Sequence, residues 1–235
     1  LAWRTPDPSG ELPLPKYAQA LSAIPEIDTT SILNIETERG GPDFIYGSFN
    51  PSVPEPPFVK TYHALATNKT QFYGEVRDLG KIFDVEDRAA AFLRDQESRL
   101  ARLSSKLTSV DPVDVLVVWD LTDDSLLTSG GPDFPTEILH LAGARNVFSD
   151  LGPSPKSPLS EVVARDPNYV LIVDDGTTPV SAKVLALKGD PVLSNLTAVA
   201  ENRLLTLNET YLLPGPRLAD SAELLANTLH PSLTR

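Results

Sequence analysis

The chain has 235 residues, 41% of them apolar, which is enough to bury a core in one large or two small domains. Its 20 basic and 32 acidic residues leave a net charge of -12, which argues against a nucleic-acid partner, because phosphate-backbone binding needs clustered Lys and Arg. No apolar run reaches the ~20 residues that cross a bilayer, and the absence of cysteine excludes disulfides, thiolate metal sites and cysteine nucleophiles.

Residues 1 to 30 are rich in proline and polar residues and read as a surface connection with one candidate helix, Lys16 to Ser22. Asn34-Ile-Glu36, followed after five residues by Pro42-Asp-Phe-Ile-Tyr-Gly47, then reads as a short helical turn opened by a glutamate, closed by a proline and continued by a buried strand. The stretch Asn50 to Phe58 is too punctuated by proline for a regular element. From Leu79 to Lys106 the apolar residues Val85, Ala89, Phe92, Leu93, Leu100 and Leu103 fall at mostly three- and four-residue steps, which predicts a long helix.

Asp111-Pro112 ends that helix, and Val113 to Trp119 reads as a buried strand. A polar turn, Asp120 to Pro132, leads to a short helix over Phe134 to Leu141. Leu159-Ser-Glu161 with Pro167-Asn-Tyr-Val-Leu-Ile-Val173 repeats the glutamate, proline and strand pattern of the first unit. Helix is predicted over Val180 to Leu187, strand over Arg203 to Leu207, and a final helix over Leu218 to Leu229 just after Pro214-Gly-Pro216. Strand and helix alternate, so the class is α/β. The repeated unit on either side of a long helix implies two similar lobes with a ligand cleft between them.

Candidate chemistry is sparse. There is no Gly-x-Ser-x-Gly elbow, no phosphate-cradling Gly-x-x-x-x-Gly-Lys and no His-Glu-x-x-His. His140 and His230 read as packed or capping residues, while His63 falls in a loop and is a candidate ligand. Asp174-Asp175 follows a strand where a ligand could be met, or forms a plain turn with Gly176; Gly130-Gly131 has the same two readings, phosphate loop or turn. Asn68, Asn195 and Asn208 open N-glycosylation sequons. Tyr46, Trp119, Tyr211 and Arg217 lie at or just after predicted strand ends, and aromatic faces with a guanidinium suit a bulky anionic chelate.

The order of segments resembles the solute-binding proteins of bacterial ABC importers for siderophores, haem and cobalamin. The resemblance rests on Leu79-Gly-Lys-Ile-Phe, Gly130-Gly-Pro, Glu137-Ile-Leu, Ala142-Gly-Ala-Arg-Asn146-Val-Phe, Leu159-Ser-Glu161 with Pro167, Leu196-Thr-Ala-Val199 with Asn202-Arg-Leu, and Leu229-His-Pro231. It implies two Rossmann-like lobes, residues 1–78 and 111–235, joined by a backbone helix over 79–110. It also implies permease docking by Glu36 and Glu161, which are otherwise carboxylates placed at helix N-termini where the dipole favours them, while Tyr46, Trp119, Tyr211 and Arg217 form the candidate ligand site by their strand-end positions or are partly buried core or rim residues. The implied protein is an extracytoplasmic monomer that captures an iron-siderophore, haem or cobalamin, with no catalytic residue, no bound metal and no cofactor of its own. Alternatives are a scavenger or adhesion module on the same fold and a metal-assisted hydrolase, the last needing an acid-base set that three scattered histidines do not supply. Two departures stand out. The irregular stretch before Asn34 is shorter than the family's opening βαβ unit, which predicts an incomplete or rebuilt N-terminal lobe, and both glutamate-to-proline gaps are one residue short.

Overall fold

A computed structural model describes residues 44–47, 60–122 and 124–234. The chain divides into two compact units, residues 1–65 and 66–235. In the first, β1 (Phe44–Gly47) pairs in parallel with β2 (Lys60–His63), so that Tyr46 lies opposite Tyr62. Their rings stack with centroids 6.0 Å apart, a cross-strand aromatic contact of the kind that stabilises a two-strand pair. His63 is thus the last residue of a strand rather than part of a loop.

The second unit opens with α1 (Lys69–Ile82) and α2 (Glu86–Leu107). The continuous helical pattern expected over 79–106 is broken by Phe83, Asp84 and Val85, with Asp84 in the left-handed region at φ 54°. Phe72 and Tyr73 of α1 are buried in the same core as Leu93, Leu100 and Leu103 of α2. Residues 66–78, expected in the N-terminal lobe, therefore pack within the C-terminal unit.

Four parallel strands form the central sheet: β3 (Val113–Val118), β6 (Ala144–Asn146), β8 (Tyr169–Asp174) and β9 (Leu204–Asn208), in the order β6-β3-β8-β9. A small antiparallel sheet of β4 (Asp120–Leu121), β5 (Ser125–Leu127) and β7 (Lys156–Pro158) extends from the end of β3. The remaining α-helices among the described residues are α3 (Phe134–Leu141), α4 (Leu159–Arg165), α5 (Val180–Gly189), α6 (Thr197–Ala200) and α7 (Leu218–Leu229).

Period-two alternation sends successive strand side chains to opposite faces, and both faces are covered. Val115 and Val117 of β3 with Leu171 and Val173 of β8 meet α1, α2, α3 and α7. Leu116 and Val118 with Val170 and Ile172 meet α4, α5 and α6. This is why β3 and β8 read as unbroken apolar runs: a parallel strand buried on both faces has no polar side to show.

Candidate functional site

The carboxyl ends of β3, β8 and β9 lie side by side, since Val118 pairs with Ile172 and Ile172 with Thr206. At ~4.8 Å per strand, the ends of β3 and β9 stand ~10 Å apart. Trp119 is the first residue beyond β3. Its backbone N–H donates to Leu127 O at 2.9 Å, and its indole Nε1 donates to Ser129 Oγ at 2.8 Å. The ring is half-buried against the core on the α1/α2 face.

Beyond β9 the chain makes a single 3₁₀ turn, Glu209–Tyr211, started by Asn208, whose Oδ1 accepts from Thr210 N at 2.9 Å and from Thr210 Oγ1 at 2.7 Å. That turn sets Tyr211 against the same core as Trp119. Arg217, at the start of α7, lays its guanidinium 5.3 Å from the centre of the Tyr211 ring. The structure thus joins Tyr211 to Arg217 as a cation–π pair and puts both on the strand-end side where Trp119 emerges. Tyr46 belongs to the other unit, where it is 48% exposed beside Tyr62.

Between Trp119 and Tyr211, at the end of β8, lies Asp174-Asp175. It forms the turn allowed for it: Asp175 accepts from Thr177 N and Oγ1, and Gly176 N donates to Asp174 Oδ1. Asp175 has a further partner, the ammonium of the buried Lys183 at 2.9 Å. Burial pushes its carboxyl pKa up, but hydrogen bonds from Lys183 and Thr177 outweigh this and hold it below the usual range. Gly130-Gly131 is a tight crossing beneath the 149–152 loop, where a Cβ on Gly130 would meet Gly152 O at 1.8 Å.

Glu161 sits in the first turn of α4, half exposed, where the helix dipole favours a carboxylate. It accepts from Arg165 Nη2 at 2.7 Å, and Arg165 also binds Asp150 and lies over Phe148 at 4.3 Å. The short gap before Pro167 is closed by Asp166 at φ 32°, whose carboxylate accepts from Thr197 N and Oγ1. Glu36 lies outside the described residues.

His230 is buried at the end of α7 with Nε2 3.0 Å from Gly143 O, and His140 is exposed on α3. Among the described residues no group of three His, Cys, Asp or Glu side chains is placed to hold a metal ion. The three sequon asparagines each have a local bond: Asn68 caps α1, Asn195 donates to Pro191 O and Asn208 starts its turn. Among the described residues no helix is long and apolar enough to cross a membrane.

Sequence reasoning missed Lys183 and Ser129, the two side chains that tie down Trp119. Lys183 did carry a signal. It shares with Val180, Val184 and Leu187 the stripe of α5 that faces the core, where helical spacing asks for an apolar residue.

Comparison with known proteins agrees with this architecture. The family described as periplasmic binding protein matches residues 52–211. A periplasmic binding protein from Veillonella parvula superposes with a TM-score of 0.81 at 24% identity, covering 98% of this chain and 83% of its own. A periplasmic heme binding protein from Pseudomonas aeruginosa gives a TM-score of 0.74 at 27% identity, covering 92% and 82%. A vitamin B12-binding protein from Vibrio parahaemolyticus is 22% identical over 124 residues, 50% of this chain and less than half, 44%, of that protein.

Proposed function

Because the chain belongs to the periplasmic binding protein family, we propose that it captures a bulky metal chelate outside the cytoplasm and delivers it to an ABC importer. Haem is the leading ligand, a corrinoid or an iron-siderophore the next. The observation that carries this reading is the Tyr211–Arg217 pair, which stands with Trp119 at the carboxyl ends of strands two apart. Open α/β sheets meet their ligands at such ends. Aromatic faces offer area to a flat macrocycle, and a guanidinium answers its carboxylates. The names of the Pseudomonas and Vibrio proteins point to the same ligand class. Binding of this kind needs no covalent chemistry, so the protein acts as a carrier and not as an enzyme, and it works as a monomer.

Tyr46 is assigned to the same task from its own unit, where its exposed ring rests on Tyr62. Glu161 and Glu36 are assigned to permease docking, the half-exposed first-turn position of Glu161 supporting that role. Reversing the charge at both is expected to abolish uptake and leave ligand affinity unchanged; a loss of affinity instead contradicts docking.

The deciding experiment titrates the protein with haemin, ferrioxamine B and cyanocobalamin while following tryptophan emission and the thermal midpoint. Binding of at least one, with a rise in melting temperature set by its concentration, supports the proposal. No shift with any of the three sinks it.

A further inference from the structure

The side chain of Lys183 is 1% exposed, and its ammonium makes three hydrogen bonds. It donates to Trp119 O at 2.6 Å, to Val173 O at 2.8 Å and to Asp175 Oδ1 at 2.9 Å. A lysine has three donors and no acceptor, so the set is complete.

The position is a special one in the sheet. In the order β6-β3-β8-β9 the first and third parallel strands of the unit are neighbours. The chain leaves β3 through α3 toward β6 on one side and returns through α4 to β8 on the other. A crevice opens at such a switch point, and doubly wound sheets place ligands there. Here the β3/β8 ladder stops at Val118 and Ile172, and the next residue, Trp119, turns its N–H away to Leu127. The two strands fork, and the ammonium fills the fork.

We propose that Lys183 is a positioning residue for the ligand site: by bridging the carbonyls of Trp119 and Val173 across the open end of β3 and β8, it fixes where the Trp119 indole stands. With the crevice occupied by the lysine, a ligand seats on its rim, against Trp119 and the Tyr211–Arg217 pair, rather than inside it. A buried ammonium is costly compared with an apolar side chain of the same size. What it supplies in return is geometry, since an apolar residue in its place would leave both carbonyls without a donor. Ser129 Oγ holds the indole from the far side at 2.8 Å, so the residue is anchored at both its backbone and its ring. The assignment of Trp119 to a ligand site rests on the function proposed above; the bridging of the fork does not.

The test uses the full chain with Trp3→Phe, which leaves Trp119 as the single indole of the two in the sequence. Lys183→Met removes the ammonium at similar length. Because the chain has no cysteine, Lys183→Cys alkylated with 2-bromoethylamine in denaturant and refolded rebuilds an ammonium at this one position. The readouts are the near-ultraviolet circular dichroism of Trp119, the affinity for haemin, ferrioxamine B and cyanocobalamin, and the thermal midpoint. Lys183→Met is expected to lose the Trp119 signal and to bind about tenfold more weakly, and the aminoethylated protein to recover both. A lower melting temperature with unchanged signal and affinity reduces Lys183 to a structural residue and overturns the proposal, as does failure of aminoethylation to restore the signal in a protein with wild-type far-ultraviolet spectrum. If Lys183→Met does not fold, Asp175→Ala, which removes the acceptor of one of the three anchors, is expected to move the Trp119 signal in the same direction; no movement overturns the proposal. If the parent protein binds none of the three chelates, the proposed function fails, and the Trp119 signal alone decides whether Lys183 seats that residue.

Discussion

Trp119 is held at its backbone carbonyl and at its indole N–H, and its side chain is half-buried. Trp119→Ala is expected to weaken chelate binding by about 1 to 3 kcal/mol, the scale for losing a large aromatic contact. Trp119→Phe keeps a ring but not the bond to Ser129 and should fall between the two. Isothermal titration checks this, and an unchanged affinity for Trp119→Ala removes the residue from the site. Asp175 adds a pH dependence. Its folded pKa is depressed, burial being outweighed by the Lys183 and Thr177 hydrogen bonds. Its contribution to stability is therefore full above the unfolded value near 3.9 and is lost as pH falls through the folded value. The urea midpoint should drop below about pH 4 in the parent protein, and Asp175→Asn should flatten that part of the profile. At this scale the positions of Trp119 just after β3 and of Tyr211 just after β9 were legible, because buried parallel strands can be read from their apolar runs. Lys183 was missed despite its place on the apolar stripe of α5, because the three partners that account for a buried lysine lie 64, 10 and 8 residues away.

Helices α3 and α7 occupy the residues expected from sequence because each is bounded by strong local signals: Asp133 and Pro135 at the start of α3, Gly143 after it, and Pro214-Gly-Pro216 ahead of α7. The turn between α1 and α2 has no such marker, since Asp84 takes φ 54° without glycine's help. The short strands β4, β5 and β7 were illegible for another reason: two or three residues are too few to show a period. The α1/α2 turn yields its own prediction. Asp84→Gly relieves the left-handed conformation and should stabilise by roughly 0.5 to 1 kcal/mol. In contrast, Gly80→Val should destabilise by about 1 to 3 kcal/mol, because even a Cβ there would come within 2.8 Å of Ala89 Cβ. Denaturant midpoints of the two variants must move in opposite directions. Polar contacts join α2 to α7. Gln96, 2% exposed, accepts from Ala219 N at 3.0 Å in the first turn of α7, and Arg99 meets Asp220 and Glu223. Gln96→Leu leaves a first-turn N–H without its partner and should cost about 1 kcal/mol, like the loss of a helix cap.

Over the whole molecule, net charge should oppose the proposed ligand at long range while the proposed site should favour it at short range. The chain carries -12, and haemin brings two propionate carboxylates. Surface charges beyond a Debye length, about 8 Å at 0.15 M salt, are largely screened, whereas Arg217, half-buried against Tyr211, is less so. Encounter and residence should therefore respond to salt in opposite ways. As ionic strength rises from low to physiological, the association rate of haemin should increase as repulsion is screened, the reverse of steered association. Its dissociation rate should rise modestly as the Arg217 contact weakens, and Arg217→Gln should remove that second effect while leaving the first. Cyanocobalamin, which carries no net charge, should show neither trend. Stopped-flow quenching of tryptophan emission separates the two rates. An association rate for haemin that falls with salt would mean that a local positive field at the site outweighs the net charge, and the argument from overall acidity would be wrong.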